Sequence, residues 1–298
     1  MDISPLNNPR PVDHLVLPTG DLAGARVRLN ALGFTVAPEG KHPFGTENVC
    51  VYMGDNTFLE MLAIGQRETC EEAARQGNVF VARDLAYRFR NGDEGFSALV
   101  MGTNDAQDDH KQFWAAGLSA GKVLDFSRPF VDADGQQGKA SFRLAFAADL
   151  RAPDSFYFTC QKINVPQGDR SALETHRNGV MSIRAVVLSE TNPTDFQYLL
   201  QEVTRQRDTQ AHSFGLDIET ANARVNVLTA TGMQAFFGMT VREEDRGLRL
   251  RAVVYAVRDM NALRNLLNKN AVLFDEIGER IVVQPTIGQG AAFAFEAR

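Results

Sequence analysis

Three cysteines in 298 residues, Cys50, Cys70 and Cys160, are too widely spaced and odd in number for a disulfide framework or a CxxC zinc site. Reduced thiols are therefore expected. Long hydrophobic runs are also missing: stretches such as AVVL at 185–188 fall far short of the roughly 18 residues a membrane-spanning helix needs. The opening MDISPLNNPRPVDHLVL has no basic segment followed by an apolar one, so no signal peptide is read and a cytoplasmic location is expected. Positive charge is not in excess. The formal net charge is −6 and the Arg and Lys are scattered, which leaves no footprint for nucleic acid and makes a small molecule the expected partner. A homodimer stays open. No GxGxxG with a downstream acid, no GxxxxGK[ST] and no GxSxG occurs, which argues against dinucleotide-dependent, P-loop and serine-hydrolase chemistry.

What is present is an ordinary globular composition, 44% hydrophobic and 23% charged, in a length suited to two domains of roughly 150 residues. Four segments repeat: HLVLPTGD at 14–21, ALVMGTND at 98–105, AVVLSETN at 185–192 and AVVYAVRD at 252–259. Each begins as an apolar strand and ends on Asp or Asn, a favoured helix N-cap. A helical stretch follows each time, from 22, 106, 193 and 260, with Gly33 and Gly117 near two of the helix ends. Segments readable as three strands then complete each unit, with uneven clarity. In the first they are FTVAP, NVCVYMG and TFLEMLAI; in the second KVLDFSRPFV, KASFRLAFA and SFYFTCQKI, with the loop DADGQQG between the first pair. The third unit offers AHSFGLDIE and ARVNVLTA, and the fourth AVLF, ERIVVQ and AAFAFEA. The pattern predicts an α+β chain of four βαβββ modules, paired as residues 1–165 and a more divergent 178–298.

The run VDHLVLPTGDL, a helix ending in LGF, and then GKHPFGTENVCVYMGDNTFLEMLA resembles the opening module of glyoxalase-like proteins of the vicinal-oxygen-chelate superfamily. The resemblance is strongest over 11–64, weaker over 95–180 and architectural beyond. It implies modules paired into curved sheets of the glyoxalase, bleomycin-resistance and extradiol-dioxygenase type, with the site inside the N-terminal cup. By position it carries a metal-ligand or catalytic role to His14 on the first strand and Glu60 on the fourth, and with it one divalent ion of Zn, Fe, Mn or Ni. The aligned first strands of the other units carry Ala98, Ala185 and Ala252 instead of a histidine. The second unit's remaining candidates are Cys160 and Gln161, on its last strand.

The residues can also be read without the resemblance. His14 is either hydrogen-bonded within the sheet or a ligand or substrate contact. In TFLEMLAI, alternation puts Phe58, Glu60 and Leu62 on one face, and a carboxylate among such neighbours needs a partner. His42, Thr46 and Asn48 belong to the turn-forming loop KHPFGTEN and are candidate substrate contacts. His176 and Asn178 in THRNG either cap a strand or reach the cup, and Glu296 reads as structural. Arg128 and Arg143 have no spacing that marks a clamp, which together with Ala98 speaks against a glutathione adduct as substrate. Three functions compete: a metal-assisted lyase, isomerase or dioxygenase, a metal-free small-molecule binder, and a regulatory protein with a vestigial site.

Overall fold

The computed structural model describes residues 8–131, 137–165, 169–242 and 244–298, so most of the loop expected at 132–138 lies outside the described residues. The first half runs β1 (Val12–Pro18), α1 (Leu22–Ala31), β2 (Gly40–Lys41), β3 (Thr46–Tyr52), β4 (Phe58–Ile64), α2 (Arg67–Arg75), α3 (Val79–Asn91), β5 (Ala98–Thr103), α4 (Ala106–Ala115), β6 (Leu124–Val131), β7 (Gln137–Ala147) and β8 (Phe156–Asn164). After α5 (Ser171–Glu174) the second half runs β9 (Val180–Ser189), a 3-10 turn (Pro193–Phe196) into α6 (Gln197–Thr204), β10 (Gln210–His212), β11 (Gly215–Glu219), β12 (Arg224–Leu228), α7 (Ala230–Phe237), β13 (Arg249–Val257), α8 (Met260–Lys269), β14 (Asp275–Ile277), β15 (Arg280–Val283) and β16 (Ala292–Ala297).

The strands form two eight-stranded sheets, ordered β2-β3-β4-β1-β5-β8-β7-β6 and β10-β11-β12-β9-β13-β16-β15-β14. In every unit the first strand pairs parallel with the fourth, and units join in pairs through antiparallel first strands. The expected α+β class and fourfold βαβββ order are therefore the observed ones. The repeated acid does what its chemistry suggests at three junctions. Asp21, Asp105 and Asp259 each accept two backbone N–H groups at the start of the following helix. Asn192 does not: Pro193 opens a 3-10 turn there, and the Asn192 amide bonds Asp195 instead. Two strand expectations are corrected. FTVAP is not a strand, its place being taken by the two-residue β2, and AVLF ends just before β14.

The outer faces of both sheets and the buried faces of α1, α4, α6 and α8 merge into one core, where Phe34 meets Tyr255 and Phe293 at ring-centroid distances of 5.4 and 6.1 Å. The inner faces are separate. In the second half Met233 and Phe237 of α7 pack against Val187, Val254 and Val282 and fill the concavity. In the first, Cys70, Phe80 and Val81 of the α2–α3 hairpin cover only part of the sheet's inner face. Among the described residues no helix is long and apolar enough to cross a membrane.

Candidate functional site

A cavity remains inside the N-terminal sheet, with about 50 Å³ open to the centres of water-sized spheres. One water needs roughly 10–15 Å³ on that measure, so the space suits one small organic ligand. Six phenylalanines line it, Phe44, Phe58, Phe80, Phe126, Phe142 and Phe158, and the polar groups among them are concentrated on a few strands. Strand alternation aims Phe58 and Glu60 of β4, and Phe158, Cys160 and Lys162 of β8, into the same space.

Glu60 is buried and lies between two imidazoles: His14 Nε2 is 3.6 Å from Oε2 and His42 Nε2 is 3.7 Å from Oε1. The Asn48 side-chain amide donates to Oε1. Behind His14 a second carboxylate closes the array, with Asp13 Oδ1 2.7 Å from Nδ1 and Lys162 Nζ 2.6 Å from Asp13 Oδ2. With Nδ1–H given to Asp13, His14 presents Nε2 to Glu60 Oε2. Burial raises the Asp13 carboxyl, but its hydrogen bond to His14 and the charges of His14 and Lys162 outweigh that and hold it below the ordinary value.

His42 sits on the turn after β2, where Gly45 has φ +93° and a Cβ would lie 2.7 Å from the Gln66 carbonyl oxygen. Only glycine brings the chain back that tightly. The ring stacks on Phe44 at 5.0 Å, and its Nδ1 is 2.9 Å from Thr46 Oγ1. Burial above all, with Arg128 and His14 adding to it against the pull of Glu60, lowers its pKa to about 4. The imidazole is thus neutral at pH 7. A depressed folded-state value means the unfolded chain protonates first on acidification, so stability present above about pH 6.5 is lost as pH falls toward about 4. The loss is about 3 kcal/mol at most. Urea unfolding at pH 7, 5.5 and 4 should show it, and His42→Phe should flatten that segment; an unchanged slope in the variant would assign the effect elsewhere.

Several expected contacts lie outside the cup. Gln161 is on the opposite face of β8 from Cys160 and bonds Ala106 N and Asn104 O at the start of α4. His176 accepts from Thr35 N and reaches the Tyr52 carbonyl, while Asn178 donates to Leu32 O. Both fasten the linker to the first half and are not among the residues lining the cavity. Thr46 meets the site through His42. Cys160 and Cys50 line the cavity as thiols, burial pushing Cys50 up to about 12 and Cys160 well above the usual value. Glu296 pairs with Arg184 and Arg280, and Arg143 with Asp125.

The metal expectation meets an incomplete donor set. The antiparallel register pairs His14 with Val100 and Val16 with Ala98, so the pseudo-twofold axis exchanges His14 with Ala98. Parallel pairing sets Glu60 beside Val16 and Phe158 beside Val100, so Phe158 is the counterpart of Glu60. The second module therefore offers a methyl and a phenyl where two ligands would be needed. Among the described residues no group of three or more His, Cys, Asp or Glu is placed to hold a metal ion. The residues present do not fit the ion.

A family model described as a glyoxalase-like domain matches residues 12–204. No curated protein matches the sequence. Among solved structures the chain is similar to a hypothetical protein from Staphylococcus aureus, at 14% identity and TM-score 0.67, covering 96% of this chain and 99% of that one. It is also similar to a mutant of 4-hydroxymandelate synthase from Streptomyces coelicolor, at 13% identity and TM-score 0.59, covering 98% and 94%. At these identities the likeness establishes the fold alone.

Proposed function

Because the chain belongs to the glyoxalase-like domain family, we propose that its N-terminal cup is a metal-independent proton-transfer site, of isomerase or lyase type, for a small carbonyl compound. The observation that carries this is the Glu60 carboxylate held between His14 and His42 within a cavity lined by phenylalanines. Glu60 takes a proton from the carbon next to the carbonyl. That C–H electron pair moves into the C–C bond and the carbonyl becomes an enolate, whose return with a proton at the same or a neighbouring atom completes the reaction. With the Thr46 hydroxyl donating to Nδ1, neutral His42 carries its hydrogen on Nε2 and can donate it to the developing oxyanion. His14, oriented by Asp13, exchanges a proton with Glu60 between turnovers.

The test is solvent exchange. Protein dialysed against chelator is incubated in D2O with phenylacetone and with phenylpyruvate, and loss of the signal from the hydrogens next to the carbonyl is followed by proton NMR. Exchange well above the buffer rate, unaffected by added Zn, Mn or Ni, is expected. Exchange that appears only on adding metal would overturn the metal-independent reading. Binding without exchange would favour the second function, a small-molecule binder, which the loss of donors at Ala98 and Phe158 also suits.

A further inference from the structure

The cup contains two cations, and they are not in the same situation. Lys162 is neutralised by Asp13. Arg128, on β6 two residues after Phe126, lines the same cavity with its guanidinium 5.9 Å from the Phe142 ring centroid. The cup's two carboxylates are engaged elsewhere, Glu60 with the histidines and Asp13 with His14 and Lys162, and among the described residues Arg128 forms no ion pair. The neighbouring backbone is cut away for it. At Gly40 a Cβ would stand 2.3 Å from Arg128 Nη1 and 2.5 Å from Asn48 Oδ1, so a side chain there would collide with the guanidinium and with the amide that bonds Glu60.

We infer that Arg128 is the anchor for a ligand carboxylate, and that the cup therefore takes small carboxylates with a flat apolar body. A planar guanidinium matches a carboxylate with two parallel N–H···O bonds, and a site partly shielded from water strengthens that pairing. Arg128 and Glu60 line the same cavity, so their separation sets the distance between the carboxylate and the carbon facing the base, while the phenylalanines accept the remaining body. The inference deepens the acid–base reading and rests on it for the identity of the reacting end.

The test compares benzoate with benzamide, its neutral near-isostere, by titration calorimetry at pH 7.5. Wild-type protein should hold benzoate at least tenfold more tightly. Arg128→Gln should erase the difference, Arg128→Lys should retain part of it, and Gly40→Ala should shrink it by displacing the guanidinium. Equal affinities in wild type, failure of both compounds to bind, or a preference that survives in Arg128→Gln would each overturn the inference. Wild-type exchange of phenylacetone, which has no carboxylate, reports separately on the acid–base reading, so failure of one is distinguishable from failure of the other.

Discussion

Glu60→Gln should lower the rate of solvent exchange by 10²- to 10⁴-fold, the usual range for removing a positioned base. The substitution keeps size and shape and removes the group that accepts the proton. Its neighbours can adapt, because the glutamine carbonyl still accepts from the Asn48 amide. Stability should change little for the same reason, which separates lost chemistry from lost fold. Asp13→Asn should cost less, because it alters only the tautomer and orientation of His14. A Glu60→Gln protein within threefold of the wild-type rate would remove Glu60 as the base. The signature to look for is a lowered kcat with substrate affinity largely retained.

Arg88→Met should destabilise the protein by about 3–5 kcal/mol, the range for removing one partner of a buried charged pair. The Arg88 side chain, on α3, is buried, and bonds Asp84 Oδ2 at 2.8 Å together with the carbonyls of Leu62, Thr19 and Asp93. It is the pin that fastens the hairpin over the cup to the ends of β1 and β4. Burial already raises the Asp84 carboxyl, with the charge and hydrogen bond of Arg88 opposing that, and among the described residues its Oδ1 has no partner. Losing the cation leaves an uncompensated carboxylate against Phe80 and Leu62. Urea unfolding followed by circular dichroism measures the loss, and Asp84→Asn added to Arg88→Met should recover part of it. A single variant within 1 kcal/mol of wild type would mean that water replaces the guanidinium and the hairpin is held by packing alone.

The repeat made the architecture legible because four apolar runs ending on Asp or Asn left few other topologies for those segments. The α2–α3 hairpin was not legible. The apolar stripe of α2 is only Cys70, Ala73 and Ala74, and the buried face of α3 is interrupted by Asp84 and Arg88, so neither helix carries a long apolar signal. Within the site, the parity that pairs Phe58 with Glu60 also points to Lys162 through Cys160 and to Arg128 through Phe126. Applied to β8, it places Gln161 outside. Asp13 was beyond parity's reach. A register shift between Val12 and His14 lets two consecutive side chains face one cavity, and nothing in the order of residues announces such a bulge. The polar residues of THRNG stayed open between two roles because their partners, backbone groups at Leu32 and Tyr52 in the first half, are set by tertiary contact rather than by spacing.

The layer of helices between the two sheets has a consequence for how the cup endures. Phe34, which follows α1, is packed against Tyr255 and Phe293, Arg28 bonds Gln289, and Arg10 joins Asp109 to the backbone at Glu202 and Val203. The halves share one interior and cannot come apart without wetting it. The packed second half thus serves as a rigid counterweight: folding becomes a joint event, and the half that holds the cup shares the stiffness of the common interior.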